Sequence, residues 1–192
     1  MEELAGETSS RVFVDTAPVL DRAWAEMAGI GWIGKNSMLI NPRFGSYVFI
    51  GEIITDLVLD YDEPMNNFCG GCTKCLEACP TEAIIKDGVI DSNKCISYWT
   101  VENKTSSMPE ELENKFEDYI FGCDICQEVC PWNKFAKPHD QPAFEPHELL
   151  RDMDKEKWQE LTGEQYRVLF KKSAVKRAKF KGMQRNIGFL KP

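Results

Sequence analysis

The sequence lacks several features that would point to a membrane protein or to a histidine-based metal site. None of its apolar runs reaches the length of a membrane-spanning helix, and no secretory signal opens the chain. Only two histidines occur among 192 residues, and His139 and His147 do not have the spacing of metal ligands. We therefore expect no membrane partner, and any metal site has to be built from other residues.

Acidic residues are absent after Glu164, although the net charge of the whole chain is −8. Residues 171–192 carry a charge of +8, from Lys171, Lys172, Lys176, Arg177, Lys179, Lys181, Arg185 and Lys191. A basic segment of this kind indicates a polyanionic partner, or else a solvated terminal helix that keeps the chain in solution. Composition alone leaves both interpretations open.

The segment GIGWIGKN, residues 29–36, satisfies two glycine-rich phosphate-binding patterns, but its context is reversed. Both patterns need a strand before the loop and a helix after it, because the helix N-terminus holds the phosphate. Here a helical pattern from Pro18 to Gly29 precedes the segment, and strand-like residues follow it. Gly29 is typical of a helix C-terminus, and Asn36 stands where a P-loop has Ser or Thr. Nucleotide binding is therefore not favoured.

The eight cysteines follow the spacing of a bacterial two-cluster ferredoxin. One run is C-x2-C-x2-C-x3-C and the other is C-x2-C-x3-C, each followed by proline. The members are Cys69, Cys72, Cys75 and Cys79, then Cys123, Cys126 and Cys130, with Cys95 alone between the runs. In the bacterial pattern the fourth cysteine of a run ligates the other [4Fe–4S] cluster.

This rule assigns four ligands to each cluster. Cluster one takes Cys69, Cys72, Cys75 and Cys130, and cluster two takes Cys79, Cys95, Cys123 and Cys126. A disulfide framework or zinc knuckles explain the pattern less well, since neither accounts for four cysteines in one run or for the repeated Cys-Pro ending. Two clusters also predict a reducing, cytoplasmic compartment.

Strand patterns flank the cysteines. RVFVD at residues 11–15 indicates a strand, the apolar stretch 46–59 indicates one or two buried strands, and residues 83–91 indicate a hairpin that turns at Asp-Gly. Asp15 stands between a strand and a helical pattern, so the pattern alone favours a helix-capping role for it.

Besides the pattern from Pro18 to Gly29, helical patterns are expected in four places. Short helices should follow Cys72 and Cys126, and a charge-rich helix should fill residues 109–119. The latter lies within the 27 residues that separate Cys95 from Cys123, where a ferredoxin usually has a short link. From Pro146 onward the chain is predicted to be helical and to display its basic residues.

Five blocks of the sequence together resemble epoxyqueuosine reductases. They are RVFVDTAPVLDRAWAEMAGIGWIGKNSMLI, GSYVFIGEIITDL, CGGCTKCLEACPTEAI, CISYWTVENK and FGCDICQEVCPWN. Members of this family are cobalamin-dependent iron–sulfur enzymes that reduce epoxyqueuosine in the wobble position of tRNA, which is the last step of queuosine synthesis. The resemblance implies an oxidoreductase with two [4Fe–4S] clusters and cobalamin as cofactors. It implies tRNA and an external electron donor as partners, with electrons passing from cluster one through cluster two to cobalt.

The resemblance also implies roles for single residues. Asp15 matches the acid that gives a proton to the substrate oxygen as the epoxide opens, so catalysis replaces capping as its expected role. The positions near cobalamin are Asp15, Lys35, Asn36, Ser97, Tyr98 and Asp124. In the basic end of the chain, Lys176, Arg177 and Lys179 are expected to contact tRNA phosphates.

We therefore expect an α+β chain in four parts. Residues 1–10 are a disordered or artificial start, and residues 11–63 are the C-terminal part of a cobalamin-binding α/β module. Residues 64–137 form a ferredoxin-like double-cluster domain with the insertion 96–122, and residues 138–192 form a basic helical segment. Family members have a long segment before the RVFVD block, so the chain is expected to be a fragment. We also expect the protein to be a monomer. Two other functions stay open, namely a related corrinoid reductase with another substrate, such as a reductive dehalogenase, and a ferredoxin-type electron carrier.

Overall fold

The structure is a computed structural model that describes residues 8–190. Within them, six short strands form three antiparallel pairs: β1 (Ser10–Phe13) with β4 (Glu52–Thr55), β2 (Trp32–Ile33) with β3 (Leu39–Ile40), and β5 (Ile84–Lys86) with β6 (Val89–Ile90). The α-helices are α1 (Asp21–Met27), α2 (Lys74–Ala78), α3 (Ile125–Glu128), α4 (Glu148–Arg151), α5 (Lys155–Gln159), α6 (Gly163–Leu169) and α7 (Lys179–Phe189). The predicted mixture of helices and strands is thereby confirmed. Of the predicted disordered start, residues 1–7 lie outside the described part, whereas Ser10 belongs to β1.

No helix in the described part of the chain has both the length and the apolar character needed to cross a bilayer.

The first helix ends at Gly29, as its sequence predicts. Gly29 takes a left-handed conformation with φ of +63°. Its N–H donates to the Glu26 carbonyl, and the next N–H, of Ile30, reaches back to the Ala25 carbonyl. This pair of bonds is the Schellman arrangement, which satisfies carbonyls that the helix end leaves free. The start of α1 differs from the prediction, because Pro18 lies before Asp21 and outside the helix.

GIGWIGKN continues as the β2–β3 hairpin and has no helix after it. A Cβ atom at Gly31 would clash with the carbonyl oxygen of Ile40 on the facing strand, and one at Gly34 would lie 2.5 Å from the Ile40 side chain. Glycine at these positions therefore lets the chain approach itself closely. The observed geometry agrees with the argument that this segment is not a phosphate loop.

The pair of β1 and β4 is more exposed than the sequence indicates. Val12 lies opposite Ile53, yet Ile53 and Ile54 are 54% and 58% exposed. A two-stranded sheet buries its side chains only where another element packs on its faces. The prediction that residues 46–59 form one or two buried strands is therefore wrong about burial, because the strand is largely exposed. Only Glu52–Thr55 of that stretch forms a strand.

The segment around the cysteines matches its prediction closely. Strands β5 and β6 form a tight hairpin that turns at Asp87 and Gly88, where Gly88 has φ of +71°. Helix α2 follows Cys72, and helix α3 contains Cys126. The two helices pack against each other, so that the two cysteine runs are brought side by side.

The insertion holds a π-helix at Tyr98–Glu102 and a 3-10 turn at Glu110–Leu112. The predicted helix at residues 109–119 is wrong, because Asn114 and Glu117 have φ of +62° and +49°, which a right-handed helix excludes. The insertion folds instead around a small apolar cluster, which consists of Ile96, Leu112 and Phe116.

The C-terminal segment has the helices predicted for it, but in short pieces. Helix α6 begins with a capping box between Thr162 and Gln165, and a 3-10 helix at Ala174–Ala178 separates it from α7. Left-handed residues at Lys172 and Lys179 mark the breaks. These helices enclose the larger apolar core of the structure, made of Leu161, Tyr166, Leu169, Phe170, Met183 and Ile187.

A polar network fastens α7 to the insertion. Arg185 donates to the main-chain carbonyls of Trp99, Asn103 and Thr105, at 2.5, 3.1 and 2.8 Å. Beside it the buried Asn186 donates to the carbonyls of Thr100 and Ile120, at 2.8 and 2.9 Å. Arg185 therefore serves as an internal tie, although the sequence counts it among the basic residues of the C-terminal segment. Its burial lowers the pKa of the guanidinium, which still stays charged near neutrality.

Replacing this tie should destabilise the fold. We expect Arg185→Gln to lower the free energy of unfolding by roughly 1–3 kcal/mol, since several charge-assisted bonds to carbonyls are lost. Urea denaturation followed by circular dichroism measures the change. Lys181→Gln, which removes an exposed charge from the same helix, is the matched control and should leave stability nearly unchanged. Equal stability of the two variants would contradict a structural role for Arg185.

Candidate functional site

The eight cysteines lie in two groups of four around two cavities. Cys69, Cys72, Cys75 and Cys130 line an open cavity of ≈ 340 Å³. Cys79, Cys95, Cys123 and Cys126 line a smaller cavity of ≈ 40 Å³. These are the two sets that the spacing predicts, although the ligation of a cluster by each set stays a prediction. The first group therefore lines the larger of the two cavities, and all eight cysteines are partly buried.

Two thiols in each group are hard to ionise in the protein alone. Burial raises the pKa of Cys126 to about 12 and that of Cys123 to about 11, and neighbouring cysteines add to both shifts. Burial also raises the pKa of Cys75 and Cys130. Because thiolates are the metal-binding form, positive charge from a bound metal group has to offset the cost of ionisation.

The spacing of these groups does not suit a single metal ion. Among residues 8–190, no three His, Cys, Asp or Glu side chains converge closely enough to hold one. A zinc ion needs four ligands, each about 2.3 Å from the metal when sulfur is the donor. Each group provides four cysteines, which is the number of thiolate ligands that a [4Fe–4S] cluster takes.

The β2–β3 hairpin packs directly on the first cysteine group. The indole N–H of Trp32 donates to the Cys69 sulfur at 3.4 Å, and Trp32 has no solvent exposure. Its ring meets those of Phe68 and Trp132 edge-on, with centroids 5.2 and 4.9 Å away. The result is an aromatic wall that keeps water from one side of this group.

Lys35 and Asn36 face the first cysteine group and already have protein partners. Lys35 forms an ion pair with Asp87 at 3.3 Å. The fully buried Asn36 donates to the Cys126 carbonyl at 3.2 Å and accepts a bond from the Met38 N–H at 3.3 Å. These contacts connect the hairpin to the second cysteine run and to the β5–β6 turn. Contact of the two side chains with cobalamin stays a prediction.

The other predicted cobalamin contacts lie near the second cysteine group. Ser97 and Tyr98 follow Cys95, and Tyr98 opens the π-helix, an element that often occurs at functional sites. Asp124 is exposed and accepts a bond from Gln127 at 2.8 Å. Whether these side chains contact cobalamin stays a prediction.

The position of Tyr47 beside the second cysteine run was not predicted from the sequence. It is about half exposed, and burial together with the charge of the nearby Asp124 raises its pKa. Ser46, the residue before it, bonds to Gln127 and Asn133 in the second cysteine run. An apolar stretch of sequence carries no signal for such a contact, because the two partners are 81 and 87 residues away.

Asp15 does not cap a helix and lies in the loop between β1 and α1. It has a left-handed φ of +50°, and its exposed carboxylate accepts a bond from Arg177 at 3.2 Å. The same guanidinium contacts Glu102, the last residue of the π-helix, at 3.3 Å. The candidate acid thus sits beside both the insertion and the C-terminal segment. The capping role is wrong, whereas the catalytic role stays a prediction.

The carboxyl groups of Glu52 and Asp21 form a pair next to this loop. Glu52 is opposite Phe13 on β1, and as long as both carboxyls are ionised its two buried carboxylate oxygens have no hydrogen-bond donor among the described residues. The Asp21 carboxyl lies beside it and can share a proton with it, which raises the pKa of Glu52. Burial and the negative charge of Asp21 act in the same direction.

The predicted tRNA contacts Lys176, Arg177 and Lys179 are exposed. Lys176 and Arg177 lie on the 3-10 helix, and Lys179 begins α7. Other members of the basic segment differ, because Arg185 is an internal tie and Lys191 lies outside the described residues. The exposed cations therefore form a smaller patch than the sequence indicates.

Comparison with known proteins adds a family context to this geometry. A family model described as a 4Fe-4S double cluster binding domain matches residues 68–133. An epoxyqueuosine reductase of Cellulophaga algicola is 52% identical over 191 residues, which is 100% of this chain and 62% of that protein. The chain thus spans about three fifths of the length of this curated relative.

Solved structures agree with the sequence match. An epoxyqueuosine reductase from Bacillus subtilis, with its catalytic aspartate loop swung out of the active site, superposes with a TM-score of 0.87 at 32% identity. An epoxyqueuosine reductase bound to an epoxyqueuosine-modified tRNA-Tyr stem loop superposes with a TM-score of 0.83 at 33% identity. The matches cover 98% and 97% of this chain and 49% of each of those chains. The resemblance predicted from the sequence is confirmed.

The carboxyl pair of Glu52 and Asp21 predicts a pH-dependent stability. A carboxyl whose pKa is raised on folding destabilises the native state as pH rises from its unfolded value through its folded value. We expect Glu52→Gln to raise the melting temperature at neutral pH, with the difference from the parent vanishing near pH 4. Thermal unfolding across this range tests it, with Glu160→Gln as a control that removes an exposed carboxyl. A pH-independent difference would contradict the assignment.

Proposed function

We propose that this chain is the iron–sulfur and substrate-proximal part of an enzyme that reduces epoxyqueuosine to queuosine in tRNA. The observation that supports it most is the match of nearly the whole chain to an epoxyqueuosine reductase with a modified tRNA stem loop. The reaction removes the epoxide oxygen as water and leaves an alkene, so it consumes electrons and protons. A reductive centre, an acid and an RNA-binding surface are therefore required.

The two cysteine groups would hold the reductive centre. In this proposal Cys69, Cys72, Cys75 and Cys130 bind one [4Fe–4S] cluster, and Cys79, Cys95, Cys123 and Cys126 bind the other. The larger cavity at the first group makes it the better entry point for an external electron donor. Trp32 shields that group and donates a hydrogen bond to Cys69, so it also influences the reduction potential.

Cobalamin is proposed as the third cofactor, which would supply the low-valent cobalt chemistry of the reduction. Ser97, Tyr98 and Asp124 beside the second cysteine group would form one wall of its site. Residues 11–63 would contribute to the same module, whereas residues 64–137 hold the clusters and residues 138–192 carry the basic patch. The remaining walls would come from the portion that the longer relatives have.

Asp15 is proposed as the acid. The Bacillus subtilis relative has an aspartate on a catalytic loop, and Asp15 lies on a loop of this chain between β1 and α1. Its carboxyl would give a proton to the epoxide oxygen as the carbon–oxygen bond breaks. Its exposed position gives it access to a substrate that arrives from outside.

RNA would bind at the exposed cations of the C-terminal segment. Lys176 and Lys179 flank Arg177, and all three are in reach of a phosphate backbone. The wobble base would have to leave the stack of the anticodon loop to approach Asp15, as is common for RNA-modifying sites. A tRNA substrate is consistent with a cytoplasmic protein that keeps its cysteines reduced.

The assignment of ligands predicts that the two groups load separately. We expect Cys72→Ser and Cys123→Ser each to lower the iron content of the anaerobically prepared chain from about eight to about four per molecule. Iron and sulfide analysis measures the loss, and electron paramagnetic resonance of the reduced protein identifies the remaining cluster. Thr73→Ser, next to Cys72, is the control. Full iron content in either variant would contradict the ligand sets.

The role of Asp15 predicts a large effect on the chemical step. We expect Asp15→Asn to lower queuosine formation by about 100-fold or more, which is the usual contribution of general acid catalysis. The assay uses the chain joined to the N-terminal portion that the relatives have, with clusters, cobalamin, reductant and epoxyqueuosine-containing tRNA. Nucleoside mass spectrometry quantifies the product.

Asp60→Asn serves as the control for this assay, since it removes an exposed carboxylate elsewhere. Both proteins should contain the same amount of iron. Queuosine formation at the parent rate by Asp15→Asn would reject Asp15 as the acid. No queuosine from a parent protein that holds clusters and cobalamin would instead point to another corrinoid substrate.

A further inference from the structure

One guanidinium connects three parts of the chain that the proposed reaction uses. Arg177 donates through Nη1 to Asp15 at 3.2 Å and contacts Glu102 through Nε at 3.3 Å. Asp15 belongs to the loop after β1, Glu102 ends the π-helix of the insertion, and Arg177 itself lies in the basic patch. Within residues 8–190, Arg177 is the one basic side chain that forms an ion pair with Asp15.

Arg177 is held more firmly on the insertion side than on the Asp15 side. The Lys104 ammonium donates to the Arg177 carbonyl at 2.9 Å, and Arg185 ties Asn103 and Thr105 to the next helix. Asp15, by contrast, lies in an exposed loop. The insertion and the C-terminal segment therefore hold the main chain of Arg177 in place, and its guanidinium extends from there to the Asp15 carboxylate.

The contact between Arg177 and Asp15 is easy to displace. Both side chains are more than half exposed, and exposed ion pairs stabilise a structure by little. A phosphate diester offers the same guanidinium a bidentate acceptor. Lys176 and Lys179, which lie close by in sequence, would strengthen the attraction of a polyanion to this point.

A carboxylate bound to a guanidinium is not free to protonate a substrate. We propose that Arg177 is a positioning residue that holds Asp15 at rest and releases it when an RNA phosphate takes its place. This inference rests on the proposed function, because it takes RNA as the polyanion and Asp15 as the acid. Binding of an RNA phosphate to Arg177 and release of the Asp15 carboxylate would then occur in the same step.

Competition for one guanidinium has a thermodynamic signature that needs no catalysis. If phosphate has to displace Asp15, removing the carboxylate charge should tighten RNA binding, and only while Arg177 is present. We expect Asp15→Asn to lower the dissociation constant of an unmodified anticodon stem loop by about twofold to fivefold, the range expected for an exposed ion pair. In an Arg177→Gln background the same change should have no effect.

Fluorescence anisotropy with the anaerobically prepared chain measures the four dissociation constants of this cycle, at low and at moderate salt. Asp60→Asn reports the general effect of removing one negative charge and should stay near the parent value. Lys176→Gln should weaken binding by the same factor whether residue 15 is Asp or Asn.

The outcomes separate this inference from the function on which it rests. RNA binding that is equal for the parent and Asp15→Asn would overturn the exchange while leaving tRNA as the partner. A gain that persists in the Arg177→Gln background would also overturn it, since the effect would then be a general one of charge. A failure of the stem loop to bind any variant at low salt would reject both RNA as the partner and the exchange.

Discussion

The convergence of eight thiols on two cavities is the constraint on which the rest of the structure depends. The larger apolar core lies in the C-terminal helices and a smaller one in the insertion, whereas the two cysteine runs are joined by short helices and a hairpin. Burial raises the pKa of Cys126 to about 12, so this thiol resists ionisation without a metal. If the proposed clusters bind to these cysteines, folding of residues 68–133 and acquisition of iron are linked, because metal binding supplies folding free energy to small domains.

The insertion and the C-terminal segment give this metal-dependent region a firm frame. The buried Thr100 and Asn186 and the tie at Arg185 join the π-helix to α7 through main-chain carbonyls. The hairpin β2–β3 does the same from the other side, through Trp32 and Asn36. Arg185, Asn186 and Asn36, which are basic or polar in the sequence, thus bond to main-chain carbonyls inside the protein. These side chains are therefore not free to contact a substrate.

Local chemistry explains which features the sequence could predict. Cysteine spacing, the Asp-Gly turn and the glycine at the end of α1 each act within a few residues, so the pattern carries the geometry. The helix expected at residues 109–119 fails because Asn114 and Glu117 adopt left-handed conformations that allow Leu112 and Phe116 to reach the core. Lys35 stands at the lysine position of a glycine-rich phosphate-binding pattern, but in the structure it forms an ion pair with Asp87.

Contacts between residues far apart in the chain cannot be predicted from local sequence patterns, and the ion pair of Asp15 and Arg177 is the clearest case. They are separated by 162 residues, so their contact cannot form until Arg177 has left the ribosome. The cysteine runs are made much earlier and can begin to fold before that point. The loop that carries Asp15 therefore gains its partner late, and the Asp15 carboxylate of a nascent or shortened chain has no guanidinium to restrain it.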